Sequence, residues 1–272
     1  MNESAEIKSM ELYNVSMAKS LIDKIFFMDK IDDEITTIVD YGCADGALIK
    51  FLAPFFPTMY FVGYDNSSEM ISRAKENNKD NSNVIFFDNL NSFLDWSNTS
   101  KFAENMALNL SSVIHEVYSY SSKKEIEDFW YFVNYSYFKY IVIRDMAVDE
   151  NAERPSWKED VLKVKSHLYQ AEMIEEFESI HGPITNNKNL IHLLMKYRYT
   201  VNWDREVKEN YLPISVEEMA SKIDDNYQLI YYDHYVLPYL AKIVKEDFDI
   251  TLKDYTHVKL IYRLRRPDDN EG

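Results

Sequence analysis

The stretch that most constrains this chain runs from Ile38 to Leu48, where an apolar segment ends in an acid and leads into a glycine turn. Gly42 and Gly46 stand four positions apart, and a helical pattern begins directly after them. This order is typical of the first strand–turn–helix unit of a Rossmann-like sheet. Glycine lets the backbone approach a ligand closely, and the free N–H groups of the helix's first turn point at it. The chain has only 5 glycines, so two in one turn are a concentrated signal for a ligand site, and the alternative is an ordinary strand–helix turn.

Two further apolar runs also end in an acid, at Asp65 and at Asp88. Asp65 follows Gly46 by about 20 residues, the spacing at which Rossmann-type sites place an acid on ribose hydroxyls. The alternative is a surface or helix-capping acid, because Asn66 begins a pattern typical of a capping box, with Asn66 as the N-cap. The carboxyl ends of parallel strands meet at one edge of a sheet, so we expect these acids to gather with Asp40.

The whole chain predicts an α/β fold with a doubly wound, mostly parallel seven-stranded sheet and one antiparallel strand. The expected strands are residues 36–41, 60–65, 83–88, 106–111, 139–145, 228–235 and 257–263. The first five alternate with helical patterns, which favours a parallel sheet, and the last two alternate like antiparallel strands.

The predicted organisation has five segments. They are an N-terminal helical cap (1–35), a Rossmann-like core (36–146), a helical insertion between strands five and six (147–225), the last two strands (226–266) and a disordered tail (267–272). We interpret the insertion as a candidate substrate lid, because the sheet is complete without it.

The turn after the first strand resembles motif I of the class I S-adenosylmethionine (SAM) methyltransferases, an acid-x-Gly-x-Gly-x-Gly pattern. Asp40, Gly42 and Gly46 match that pattern, whereas Ala44 replaces its middle glycine. The match to the dinucleotide pattern G-x-G-x-x-G is poorer. The resemblance implies a SAM cofactor, with S-adenosylhomocysteine as its product. It implies these cofactor-binding residues: Asp40, Gly42, Cys43, Ala44, Gly46, Asp65, Asn66, Asp88, Asn89 and Ser111.

In that resemblance Asp40 receives the amino group of SAM, the turn holds its methionine part and Asp65 accepts the ribose hydroxyls. Asp88 accepts the adenine amino group. The segment after strand four resembles a "Val-Leu-His-His" run, with His115 at the first histidine and Glu116 at the second. We expect His115 and Arg144 to face the methyl acceptor as catalytic residues. The alternatives are a buried or capping histidine, and an arginine that pairs with a neighbouring acid.

Charge and residue types narrow the acceptor. The net charge of −16 repels phosphate backbones, and the basic residues of the insertion are interleaved with acids. The single cysteine, Cys43, lies in the glycine turn and provides no thiolate for attack on cytosine. No Asn-Pro-Pro-Tyr-like motif follows strand four, where Asn109–Ser112 stands instead. The six histidines lack metal-ligand spacing, so the sequence predicts no metal.

The sequence therefore predicts a cytoplasmic methyltransferase that moves the sulfonium methyl of SAM to an oxygen or nitrogen of a small or medium-sized acceptor. The apolar windows are too short to span a bilayer, and the acidic N-terminus is unlike a secretory signal. A non-catalytic SAM-binding partner subunit and an RNA or protein methyltransferase are the alternatives. Ala44 and the lack of a certain base favour the non-catalytic subunit, whereas Asp40, Asp65, Asp88 and His115 together favour the enzyme. The oligomeric state stays open.

Overall fold

The computed structural model describes residues 20–99, 105–136, 138–167 and 171–265. The expected N-terminal cap is therefore described only from residue 20, where Leu21–Lys24 forms a short helix, α1. The remainder of that cap and the expected disordered tail lie outside the described residues.

Seven strands form one sheet in the order β3-β2-β1-β4-β5-β7-β6. Strands β1 to β5 pair in parallel, and β7 runs antiparallel to both β5 and β6. The predicted mixed seven-stranded sheet is confirmed. The strands are Thr37–Tyr41 (β1), Tyr60–Tyr64 (β2), Val84–Phe87 (β3), Met106–Ser111 (β4), Tyr140–Met146 (β5), Tyr227–Tyr235 (β6) and His257–Leu264 (β7).

Helices follow the strands along the described chain and cluster in the insertion. They are Ala47–Leu52 (α2), Ser68–Asn77 (α3), Leu90–Thr99 (α4), Ile114–Tyr120 (α5), Lys123–Tyr135 (α6), Lys158–His167 (α7), Ala171–His181 (α8), Asn187–Lys196 (α9), Trp203–Glu206 (α10), Val216–Ser221 (α11) and Pro238–Phe248 (α12). Two single 3₁₀ turns, Glu150–Ala152 and Thr200–Asn202, complete the described helical structure. None of the described helices is long and apolar enough to cross a membrane.

The start of α3 corrects one sequence prediction. Ser67, not Asn66, is the N-cap, and its hydroxyl accepts the N–H of Met70 at 3.3 Å. The helix begins one residue later than expected because the carboxylate of Asp65 accepts the N–H of Ser67 at 2.9 Å and so forms a turn over Asp65–Ser67. A capping box starts α6: the Ser122 hydroxyl accepts the N–H of Glu125, and the Glu125 carboxylate accepts the N–H of Ser122.

Helices cover both faces of the sheet, because successive residues of each buried strand point to opposite sides. Val39 and Leu108 pack on one face, in a cluster that includes Phe129 of α6. Ile38 and Ala107 point to the other face, where α2 and α3 pack. The layers therefore fix the strand ends rigidly, and the loops that follow them are presented at one edge.

The insertion has its own apolar cluster, which includes Val164, Phe177 and Leu193 together with Val244 of α12. Among its described residues none belongs to a strand of the sheet, in agreement with the prediction of a helical segment. Helices α7 and α8 of the insertion lie on either side of residues 168–170, which the structure does not describe. This cluster joins the insertion to the segment between β6 and β7.

Candidate cofactor and acceptor site

The turn after β1 is shaped by two glycines with positive φ angles, +78° at Gly42 and +73° at Gly46. The N–H groups of Gly42 and Cys43 both donate to the carbonyl oxygen of Tyr64, at 2.7 and 2.9 Å. A Cβ on Gly42 would lie 2.6 Å from Cγ2 of Val113. The turn therefore needs glycine at this position for both conformation and space.

Asp65, directly after β2, ties that turn to the neighbouring strand. Its Oδ2 accepts the N–H of Ala44 at 2.9 Å, and its Oδ1 accepts the N–H of Ser67 at the same distance. Ala44 itself has a positive φ of 46°, which is uncommon outside glycine. Burial raises the pKa of Asp65, against the effect of its two N–H donors. Each carboxylate oxygen retains accepting capacity toward a ligand hydroxyl.

Asp40 lies buried at the end of β1, opposite Asn109 of β4 in the sheet register. The Asn109 amide donates to Oδ1 of Asp40 at 2.7 Å. Burial raises the pKa of Asp40 to about 6, although the Asn109 bond and the charge of Lys24 act in the opposite direction. Lys24 of α1 is also buried, and burial together with the charge of Arg144 lowers its pKa to about 8. A carboxyl and an amine thus lie at the same buried point beside the turn.

Asn77, the last residue of α3, and Asn78, its C-cap, fix the far side of the turn. The Asn78 amide donates to the carbonyl oxygens of Ala74 and Gly46, at 2.9 and 3.3 Å. The Asn77 amide donates to the carbonyl oxygen of Asp45 at 2.9 Å. The turn is therefore held by hydrogen bonds to β2, to Asp65 and to the C-terminal end of α3.

The remaining residues expected at the cofactor occupy different environments. Asn66, Asp88 and Asn89 are exposed, and the Asn89 side chain caps α4 by accepting the N–H of Ser92 at 3.0 Å. Cys43 is buried, and burial raises the pKa of its thiol well above the usual value.

Ser111 gives the clearest sign that a polar ligand fits this edge. It is buried at the end of β4, and its Oγ has no hydrogen-bond partner among the described residues. A buried hydroxyl without a partner is costly, and a polar ligand at the strand ends would supply one. With the carboxyl of Asp40 and the N–H-rich turn nearby in the fold, these residues fit a cofactor that carries amino, carboxyl and hydroxyl groups.

His115, in the first turn of α5, lies between two carboxylates. Its Nδ1 is 2.7 Å from Oδ1 of Asp145, and its Nε2 is 3.4 Å from Oε1 of Glu209. Burial alone would lower the pKa of His115, but these carboxylates outweigh it and raise the pKa to about 10. The Asp145 carboxylate also accepts the N–H groups of Ile114 and Met146, both at 2.7 Å. The ring of His115 is therefore fixed in orientation.

Arg144, the second expected catalytic residue, is buried and engaged by other groups. Its Nε donates to Oδ2 of Asp23 at 2.8 Å, and its Nη1 donates to the Ser112 hydroxyl at 2.8 Å. Oδ2 of Asp23 also accepts the Tyr235 hydroxyl at 2.5 Å, and Oδ1 of Asp23 forms an ion pair with Nζ of Lys259 at 2.5 Å. Arg144 thus joins α1 to the strand ends, and its partner is Asp23 rather than the adjacent Asp145.

The insertion contributes a group of charged residues that the sequence reasoning did not identify. Arg205 lies with its Nη2 3.2 Å from Oε1 of Glu116 and 3.7 Å from Oε2 of Glu209. Lys196 is fully buried and donates to the main-chain oxygens of Glu206 and Glu209, at 2.6 and 2.5 Å. These contacts place the 205–209 segment directly over His115. No sequence signal could have identified Glu209, because the insertion contains many acids with the same local character. Asn109, which bonds to Asp40, could have been identified, because it is a polar residue in an otherwise apolar strand.

Comparison with known proteins supports one statement about the fold. No protein-family model matches the chain, and no curated protein sequence matches it. Among solved structures, the methyltransferase domain of bacterial CtHen1-C aligns over 94% of this chain and 100% of its own, with 10% identity and a TM-score of 0.51. The chain has the class I methyltransferase fold.

Two further methyltransferase structures align over most of their length. The plantazolicin methyltransferase BamL, in complex with a triazolic desmethylPZN analog and S-adenosylhomocysteine, has 13% identity and a TM-score of 0.49, covering 94% of this chain and 87% of that one. The N-methyltransferase NodS from Bradyrhizobium japonicum has 10% identity and a TM-score of 0.44, covering 94% and 99%. At such identities the likeness is one of fold.

Proposed function

We propose that the protein is a SAM-dependent methyltransferase that acts on a nucleophilic oxygen or nitrogen of a small or medium-sized acceptor. The observation that carries this proposal is the arrangement at the edge formed by β1, β2 and β4. There, a preformed glycine turn lies with the buried Asp40 and with Asp65, which anchors the turn. Ligands of open α/β sheets bind at the carboxyl ends of the strands, where these groups stand.

The residues toward the cofactor have separable roles in this proposal. Asp40 accepts its amino group, the backbone from Gly42 to Gly46, including Cys43 and Ala44, surrounds its methionine part, and Asp65 accepts the ribose hydroxyls. The residues assigned to the adenosine end or the strand end are Asn66, Asp88, Asn89 and Ser111. SAM when bound supplies a methyl group on a positively charged sulfur, so the protein has mainly to position the acceptor and exclude water.

On the acceptor side, His115 is the candidate catalytic residue, and Asp145 is the residue that orients it. The 2.7 Å contact uses Nδ1, so Nε2 is the ring atom at which a bound molecule would act, in competition with Glu209. Arg144 is proposed to act as a positioning residue, because its hydrogen bonds to Asp23 and Ser112 hold α1 against the strand ends. The 205–209 segment closes over His115 and shapes the acceptor space.

A non-catalytic SAM-binding subunit is the second candidate, and one observation favours it. Both ring nitrogens of His115 face carboxylates of the chain itself, Asp145 and Glu209, so an acceptor has to compete with Glu209 for Nε2. The net charge of −16 favours a small acceptor over nucleic acid in either case.

Transfer of a tritiated methyl group from SAM into a size-fractionated cell extract tests the proposal. Label in the small-molecule fraction supports it, with Asp65→Ala as a control that should transfer little label. Label in a nuclease-sensitive or protein fraction would replace the proposed acceptor class with RNA or protein. Absence of transfer by a protein that binds SAM would favour the non-catalytic subunit.

A further inference from the structure

We propose that His115, Glu116 and Glu209 form a binding site for one divalent metal ion beside the site of methyl transfer. One ligand atom from each of the three residues lies within 4.8 Å of the others. Imidazole nitrogen and carboxylate oxygen are ordinary ligands of Zn²⁺, Mn²⁺ and Fe²⁺, with bonds of about 2.0–2.2 Å.

The buried carboxylate of Glu209 gives an independent reason to expect a cation. Glu209 is 2% exposed, and its Oε1 has no hydrogen-bond partner among the described residues. Nε2 of His115 lies 3.4 Å from this oxygen. That separation is long for a hydrogen bond, but it is about the spacing of two ligands on a tetrahedral ion with bonds of roughly 2.1 Å. An ion between the two atoms would satisfy both.

The contact between Asp145 and His115 supports the same interpretation. Metal-binding histidines commonly donate their second ring N–H to a carboxylate, which fixes the tautomer and the orientation of the ring. Here Nδ1 of His115 is 2.7 Å from the fully buried Asp145, which leaves Nε2 directed toward Glu209. The outer group of a metal–histidine–carboxylate arrangement is thus already in place.

Arg205 is one of the organic cations that compete for this site, together with the protonated ring of His115 and the ammonium of Lys196. Its guanidinium lies 3.2 Å from Glu116 and 3.7 Å from Glu209, so it partly neutralises both carboxylates. Because the Arg205 guanidinium occupies the carboxylates, we expect a modest metal affinity in the parent protein and a higher affinity in Arg205→Gln. This expectation separates a metal site from a purely structural ion-pair network, in which loss of Arg205 would only destabilise the protein.

The sequence predicted no metal, because its histidines lack ligand spacing. The fold provides the ligands differently, since two adjacent residues of α5 meet an acid of the insertion. The role of the ion rests on the proposed methyltransferase function: it would hold an acceptor hydroxyl or carbonyl oxygen and increase the acidity of a bound hydroxyl. The acceptor class is therefore an oxygen nucleophile that can coordinate a metal.

Titration of the chelator-treated full chain with Mn²⁺, followed by the electron paramagnetic resonance signal of free Mn²⁺, tests the site. We expect one ion per chain, about tenfold or greater weakening in Glu209→Gln, and tighter binding in Arg205→Gln. Glu206→Gln is the matched control, because Glu206 is a buried acid of the same segment outside the three-residue group. Its affinity should stay within about threefold of the parent, since it removes charge but no ligand.

Absence of Mn²⁺ binding at millimolar concentration in both the parent and Arg205→Gln would overturn the proposal. So would equal affinity in Glu209→Gln and the parent. Should Glu209→Gln not fold, Glu116→Gln replaces it, because Glu116 is only half-buried. Binding of S-adenosylhomocysteine by the same samples keeps the two proposals apart. Loss of Mn²⁺ binding alone would leave the methyltransferase proposal intact, whereas loss of the nucleoside ligand alone would not bear on the metal.

Discussion

The carboxylate of Asp145 and the imidazole of His115 form a buried pair, with Oδ1 2.7 Å from Nδ1. The pair connects the end of β5 to the first turn of α5. The same carboxylate accepts the N–H groups of Ile114 and Met146. The orientation of His115 therefore depends on a carboxylate of β5 that has its own backbone partners outside the insertion.

This pair predicts strong energetic coupling between the two residues. Asp145→Asn and His115→Asn should each destabilise the protein, and together they should cost less than the sum by roughly 1–3 kcal/mol. The reason is that either single change leaves a buried polar group without its partner. Urea denaturation of the parent, both single variants and the double variant measures this coupling. Additive effects would show that the pair contributes little.

Asp40→Asn is expected to stabilise the ligand-free protein above pH 6 while weakening SAM binding. Burial raises the pKa of Asp40 to about 6. Its stabilising contribution is therefore fully present below about pH 3.9 and is lost as the pH rises through 6. The amide avoids this loss, with a gain on the order of 1–2 kcal/mol at pH 8, limited because Lys24 loses a neighbouring carboxylate.

Denaturation of the parent and Asp40→Asn at pH 4 and pH 8 checks this expectation. The two proteins should differ at pH 8 and converge at pH 4. A variant less stable than the parent at pH 8 would show that burial of the charged Asp40 carboxylate does not destabilise the folded protein.

Ala44→Gly should stabilise the protein slightly and leave cofactor binding unchanged. Ala44 has a φ of +46°, and a left-handed backbone costs an L-residue about 1–2 kcal/mol. Glycine removes this strain, but its larger entropy loss on folding offsets part of the gain. A net gain of about 0.5 kcal/mol is expected in urea denaturation. Ala44→Val, which is β-branched, is the control and should destabilise. Destabilisation by the glycine variant would contradict this account of the turn.

Asp65→Ala should reduce both stability and SAM affinity, whereas Asp88→Ala should leave stability unchanged. Asp65 accepts two backbone N–H groups, so its loss should cost about 1–3 kcal/mol and weaken binding at least tenfold. Asp88 is exposed at the end of β3, and its loss should weaken binding less than tenfold. Thermal melting and calorimetry of both variants check the contrast. Normal SAM affinity in Asp65→Ala would show that Asp65 only stabilises the turn and does not bind the cofactor.

The sheet and the glycine turn were predictable because their signals are local. An apolar strand that ends in an acid, two glycines and a helical pattern define β1, the turn and α2 without any long-range information. The predicted N-cap of α3 was wrong by one residue, because the sequence pattern did not reveal that the Asp65 carboxylate accepts the N–H of Ser67.

The surroundings of His115 were not predictable in the same way. Glu209 reaches His115 only because the insertion folds back over α5, and many acids of the insertion have the same local sequence character. The burial of Lys24 near Asp40 is also a tertiary effect, since lysine is rarely fully buried and its sequence position predicts exposure. The contacts around His115 therefore depend on long-range packing, whereas the glycine turn that would hold the cofactor follows from the local sequence pattern.

Calorimetric titration of the purified protein with S-adenosylhomocysteine tests the central claim most directly. The preformed turn with Asp40 and Asp65 predicts one site per chain with micromolar affinity, about −8 kcal/mol, and loss of at least tenfold in Asp65→Ala. A folded protein that shows no heat and no thermal shift with either S-adenosylhomocysteine or SAM would contradict the account.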